Sequence, residues 1–414
     1  MQFLKHEELQ RALADAAPDL VAPPLTLAAA PALPAAQLAD AHLNIVRHKD
    51  SGCIQFVFPR QGAQLLASPP APAAGRMDWI LQAALRAKER MTQHMIETIE
   101  AHNKPEGLLS LRHGWRQPAT AAELAASRGR KVLLFVHGIF SSTEGAFSDL
   151  AADDTMRRLL AQYDGQVFGY DHWTIARTPQ QNALDLLAHL PADAGWELDI
   201  VCHSRGGLVV RSLLSAAPHA QDAVLAAVGK QRAGRIASVG KVYFVAAANQ
   251  GSPLASPDDV EHFLNTAAML ASFSGAMALD LVIGLARMVV SLGFERPSVA
   301  ALASGSALIA QLNQGATLLS SASTYYARAD FDFGSSVLER TGALLNRMLL
   351  DSDNDVVVPY GSVLLPAAQL ADGRMLSFGT PQQKQSEVWH TEFFKQASMR
   401  AFLSPAAAGP RSGL

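Results

Sequence analysis

Cysteine is nearly missing from this chain of 414 residues: it has only Cys53 and Cys202, too few for a disulfide framework and in keeping with a reducing compartment. Charge is sparse and evenly signed. Lys and Arg number 34 against 37 Asp and Glu, a net of −3, and only 17% of residues are charged. Neither a basic face for nucleic acid nor attraction to a strongly anionic surface follows from that balance. Glycine (29) and proline (22) stand near ordinary shares, which excludes collagen-like and low-complexity chains. Long hydrophobic runs are lacking too. The charge-free stretch of the apolar middle region runs only from Phe263 to Leu279, contains Asn265, Thr266, Ser272 and Ser274, and is too short and polar for a membrane span. The N-terminus shows no basic segment leading into an apolar one, so no secretory signal is expected and a cytoplasmic location is, with signal-independent export left open. What the chain does have is an apolar half, 49% of its residues, enough to fill an ordinary core.

The first 128 residues read as an N-terminal α+β extension. Pro23, Pro24, Pro31 and Pro34 mark a linker. Ile45, the turn at Lys49–Gly52 and the alternating Ile54, Phe56 and Phe58 suggest a hairpin over 42–59. A long helix is expected from Asp78 to about His102, because Ile80, Leu81, Leu85, Met91, Met95 and Ile99 recur at near-helical spacing. The pattern changes at Lys131. Apolar runs at 132–136, 166–170, 198–202 and 241–246 alternate with helical segments near 147–163, 179–189 and 206–214. That alternation implies a doubly wound, mostly parallel sheet of the α/β class. A domain over 129–405 follows, with an Ala-, Leu- and Met-rich insertion at about 256–320 and a disordered tail at 406–414.

The chemistry gathers around Ser204, in Val201-Cys-His-Ser-Arg-Gly-Gly207. An apolar strand enters and a helix leaves, the context of a nucleophile elbow. The positions two before and two after the serine must be small. Gly206 satisfies this, and Cys202 replaces the usual first glycine. A serine needs a base, and the base an orienting acid. Downstream stand only His219, His262 and His390. His219 follows the elbow helix too closely and His262 opens the insertion, whereas His390 precedes a helical stretch at 392–403. For the acid, Asp355 leads because it stands immediately before Val356-Val357-Val358-Pro359. Asp353 is the second candidate, and Asp351 reads as a turn or cap residue. Asp-x-Asp-x-Asp also resembles half of a calcium loop, but lacks its glycine and distant glutamate.

Five blocks in order resemble the lipase/esterase branch of the α/β-hydrolase family: Phe135–Phe140, Cys202–Gly207, Ala248–Ala255, Asp353–Pro359 and Trp389-His390. In the third, Asn249 and Gln250 replace the family's usual Pro and His. The resemblance covers about 131–403 and implies a Ser204–His390–Asp355 triad. It also implies an oxyanion hole from the backbone N–H groups of Ile139 (or Phe140, one turn on) and Arg205. It suggests His137, His203 and Asp171 as residues near substrate, although His137 can equally brace its loop. It implies no cofactor and no metal. The resemblance makes the insertion at about 256–320 a helical cap, and the expected partner is a small-molecule or lipid ester, not nucleic acid, with transient lipid-interface contact through that cap. The expected activity is hydrolysis of a hydrophobic acyl ester. Acyl transfer or thioester hydrolysis with the same triad, and a non-catalytic binding or scaffolding role, are the alternatives.

Overall fold

The computed structural model describes residues 106–404, apart from 140, 216–221, 253–296, 315–317, 321, 332–354, 356, 367, 369, 381 and 384–387, together with four short strands nearer the N-terminus. Those four are β1 (Leu25–Leu27), β2 (Leu43–Arg47), β3 (Ile54–Val57) and β4 (Trp79–Ala83), in an antiparallel sheet of order β1-β4-β2-β3. β2 and β3 pair across the turn where a hairpin is expected. β4 is a strand where the helix from Asp78 should begin. Its Trp-Ile-Leu sequence is strand-forming, and it is paired on both sides, which outweighs the helical spacing. Residues 84–105 lie outside the described residues.

The main sheet has seven strands: β5 (Gly107–Ser110), β6 (Lys131–Val136), β7 (Val167–Asp171), β8 (Trp196–His203), β9 (Ile236–Val245), β10 (Ser323–Ala329) and β11 (Met375–Phe378). Their order is β11-β10-β9-β8-β6-β7-β5, and every pairing is parallel except that of β5 with β7. This is the α/β-hydrolase arrangement of a mostly parallel, doubly wound sheet. β5 falls inside the segment expected to be an extension. The sheet therefore starts at Gly107 rather than after residue 128, because its antiparallel edge strand comes from upstream.

The continuous apolar runs have a direct cause. Side chains alternate across a strand, and both faces are covered. Val132, Leu134, Val136, Leu198, Ile200, Cys202, Val242 and Phe244 feed one core, together with the helices Pro179–Ala188, Gly206–Leu214 and Ala223–Arg232. Leu133, Phe135, Val201, Tyr243 and Val245 feed the other, against Phe147, Leu159, Phe393, Phe394, Met399 and Leu403. The central helix Gly206–Leu214 is buried along its whole length, so it needs no polar face. Asp199, buried in β8, is held by the Lys241 N–H (2.7 Å), the Tyr163 hydroxyl (2.7 Å) and Lys131 Nζ (3.2 Å). Of the expected cap, the described parts are the short helices Pro297–Ala300 and Ala307–Leu312 and the turn Leu318–Ser320. No helix among the described residues is long and apolar enough to cross a membrane.

Candidate active site

Ser204 stands between the end of β8 and the helix Gly206–Leu214 with φ of 55°. A side-chain-bearing residue in this left-handed region costs on the order of 1–3 kcal/mol, so the surroundings must enforce it. They do so through the backbone. The Ser204 N–H donates to the Val245 carbonyl (3.1 Å), and the Ser204 carbonyl accepts from Gly207 (3.0 Å) and Ala248 (3.3 Å). The tight turn also explains two glycines. A Cβ on Gly206 would overlap the Val136 carbonyl and stand 2.7 Å from that of His137, and one on Gly138 would stand 2.6 Å from Ser204 Cβ. Cys202 fits the first elbow position because its side chain is directed into the core, with Sγ 3.4 Å from the Tyr243 carbonyl. Burial pushes its thiol well above the ordinary range.

The structure brings the three residues of the expected triad together. Ser204 Oγ lies 2.9 Å from His390 Nε2, and His390 Nδ1 lies 2.9 Å from Asp355 Oδ2. All three are buried. Because Asp355 accepts at Nδ1–H, Nε2 is left to accept the Ser204 proton. The other Asp355 oxygen accepts the N–H groups of Val357 (3.0 Å) and Val358 (2.7 Å), so the carboxylate is fixed at both ends. The His390 N–H also donates to the Asp355 carbonyl (3.1 Å). Around Asp355 the chain bends in a tight turn, since its side chain captures the N–H groups of Val357 and Val358 that a strand would use. Asp351, Asp353 and His262 lie outside the described residues.

The departure at Asn249-Gln250 also has a role. Asn249 Nδ2 donates to the Val363 carbonyl (2.7 Å), Gln250 N–H to the Ser362 carbonyl (3.0 Å) and Ser252 Oγ to the Val357 carbonyl (2.7 Å). Ser362 Oγ returns a bond to the Gly251 carbonyl (2.5 Å). This loop therefore clamps the acid turn. Asn249 and Ser252 were visible in the third sequence block, but nothing in the sequence marked Ser362.

The histidines expected near substrate are hydrogen-bonded within the site. His203 Nε2–H donates to the His390 carbonyl (2.8 Å), with the two rings 4.8 Å apart. Burial, with a smaller contribution from His390, pushes His203 down to about 3, so it is neutral. His137 Nδ1–H donates to the carbonyl of Gly138 (2.7 Å), and its Nε2 accepts the His172 N–H (3.2 Å). A planar trans peptide then turns the Ile139 N–H away from that ring. Asp171 accepts the Thr143 N–H (2.6 Å) at the start of the helix Thr143–Phe147, which pins the far end of the same turn. The side chains of all three thus bond to the backbone of neighbouring segments. Arg205 follows the serine with its side chain fully buried. Phe140 lies outside the described residues.

A parallel doubly wound sheet with a left-handed serine at the end of a central strand defines the α/β-hydrolase fold. Within it, the chain belongs to the family described as "Domain of unknown function (DUF7379)", whose model matches residues 104–406. No curated protein matches the chain. Similar solved structures include the lipase BlEst2 of Bacillus licheniformis in mature form, with 19% identity and a TM-score of 0.37 over 64% of this chain and 87% of that one. Lipase 1 of Pelosinus fermentans has 15% identity and a TM-score of 0.39 over 67% and 99%. Phospholipase PlaB of Legionella pneumophila, in complex with thio-NAD, has 15% identity and a TM-score of 0.35 over 57% and 44%.

Proposed function

We propose that this protein is a serine hydrolase of carboxylic esters, lipase- or carboxylesterase-like, working through an acyl-enzyme. The observation that carries the reading is the unbroken relay Ser204–His390–Asp355, with 2.9 Å at each link, on a serine in the left-handed conformation. A non-catalytic binding role would leave that alignment and its backbone strain unexplained.

As Ser204 Oγ attacks the ester carbonyl carbon, His390 Nε2 takes its proton, and Asp355 stabilises the imidazolium through Nδ1–H. The carbonyl oxygen, now an oxyanion, accepts the N–H groups of Ile139 and Arg205, the latter at the positive end of the helix Gly206–Leu214. His390 then protonates the departing alkoxide, and the alcohol leaves. Water, deprotonated by His390, attacks the acyl-enzyme, and the proton returns to Ser204 as the acid leaves. One oxyanion donor is worth about 10²–10³ in kcat. An apolar acyl group follows from the Ala-, Leu- and Met-rich insertion, and the same triad serves acyl transfer if an alcohol replaces the water.

A fluorophosphonate probe and a series of p-nitrophenyl esters test the proposal. Wild type should be labelled at Ser204 and hydrolyse the esters, and Ser204→Ala should do neither. An unlabelled wild type, or equal hydrolysis by Ser204→Ala, would refute it.

A further inference from the structure

The loop 172–178 joins β7 to the helix Pro179–Ala188 at the carboxyl edge of the sheet, where parallel sheets bind their ligands. It has no part in the chemistry above, yet it is tied to both sides of the oxyanion hole. On one side, the His172 N–H donates to His137 Nε2 and the two rings stack with centroids 4.0 Å apart. On the other, the Arg205 side chain leaves the elbow, and Nη2 donates to the Arg177 carbonyl (2.6 Å) and to Asn182 Oδ1 (3.0 Å). Asn182 passes the tie on: its Nδ2 donates to the Trp173 carbonyl (2.9 Å), and its own carbonyl accepts the Tyr170 hydroxyl (3.0 Å).

The proposed reaction needs only the backbone N–H of residue 205. A fully buried guanidinium there is costly unless its hydrogen bonds do something a smaller residue cannot. What they do is reach acceptors on two segments, the loop and the helix after it, from one nitrogen at the end of a long side chain. The loop's half-buried side chains are Trp173, Arg177 and the helix-capping Thr178, with the Arg177 guanidinium 5.2 Å from the indole ring. His172, Thr174, Ile175 and Ala176 are buried beneath them.

We propose that Arg205 is a positioning residue that ties loop 172–178 to the nucleophile elbow, making the loop a fixed wall on the oxyanion side of the site, with Trp173 setting which ester groups fit against it. The inference rests on the esterase reading for its specificity part; the tie itself is readable without catalysis. Four variants test it: Arg205→Met, Arg205→Lys, Asn182→Ala and Trp173→Ala. Two readouts are used, hydrogen exchange over 172–178 and kcat/KM for p-nitrophenyl acetate, butyrate and octanoate.

Arg205→Met and Asn182→Ala should each speed exchange in the loop and change the ratio of octanoate to acetate kcat/KM by about tenfold. Their double variant should be no worse than the worse single one, because both cut the same tie. Arg205→Lys keeps the charge on a shorter side chain that falls short of the two acceptors, and should behave like Arg205→Met. Trp173→Ala should change the ester ratio without loosening the loop. If Arg205→Met does not fold, Asn182→Ala and Trp173→Ala decide the matter. Unchanged loop exchange in folded Arg205→Met or Asn182→Ala overturns the tie. A wild-type-like Arg205→Lys assigns the role to charge and also overturns it. A loosened loop with an unchanged ester ratio overturns the wall. Failure of the esterase reading shows separately, as a wild type that neither hydrolyses the esters nor takes the fluorophosphonate, while loop exchange still decides the tie.

Discussion

Acid should weaken the native fold through His203 by an amount that can be worked out in advance. In the unfolded chain this imidazole titrates near 6.5, and in the folded protein it is held at about 3, chiefly by burial. The native-state value is lowered, so the unfolded state takes up a proton that the native state refuses. The contribution to stability is complete above pH 6.5, shrinks as pH falls, and levels off near 3. At pH 5 the unfolded value lies one and a half units above the solution pH, and at about 1.36 kcal/mol per unit the loss is about 2 kcal/mol relative to pH 8. His203→Gln removes the titration while offering an amide N–H where Nε2–H met the His390 carbonyl. Urea unfolding of both proteins at pH 8 and pH 5 isolates the term, since every other titrating group is shared. Wild type should lose about 2 kcal/mol more than the variant, with the denaturant slope unchanged. Equal losses in the two proteins would refute the argument that His203 is buried and neutral.

Further expectations concern the relay, the elbow and the sheet. Asp355→Asn removes the carboxylate that orients His390 and should lower kcat by about 10⁴ with little change in KM, read on p-nitrophenyl butyrate. Gly138→Ala forces a Cβ to within 2.6 Å of Ser204 Cβ and should cost at least about a hundredfold in kcat, the scale of one lost oxyanion donor, while circular dichroism stays native. Cys202 is buried and its thiol is pushed up, so iodoacetamide should modify it only after denaturation, as peptide mapping would show. Tyr163→Phe deletes one of the bonds to buried Asp199 and should cost about 1.5–3 kcal/mol in urea unfolding.

The parts of the fold legible in the sequence are those that two-sided burial writes strongly. β6 from Val132, β8 from Ile200 to Cys202 and β9 from Val242 to Val245 are continuous apolar runs because both faces of the sheet are covered there. β10 was not legible, since Ser323-Thr-Tyr-Tyr-Ala-Arg-Ala mixes polar and apolar residues. β11 has only four residues, and β5 joins from upstream by an antiparallel pairing that no local pattern announces. In the site, Ser204, Asp355 and His390 stand at motif positions that could be found by order along the chain. The directions of His137, His203 and Arg205 were not legible, because each is set by a partner remote in sequence: the His172 N–H, the His390 carbonyl, and the loop and helix carrying Arg177 and Asn182.

The relay also has a consequence for biosynthesis. His390 lies 186 residues beyond Ser204, and its anchors are the Asp355 turn, the His203 ring and a C-terminal segment whose Phe393, Phe394, Met399 and Leu403 complete the second core. A ribosome therefore delivers the proposed nucleophile well before the proposed base. On the proposed reading the serine stays an unactivated alcohol until His390 has been made and the helix Ala397–Leu403 docks. A chain cut anywhere before His390 should accordingly be silent toward esters.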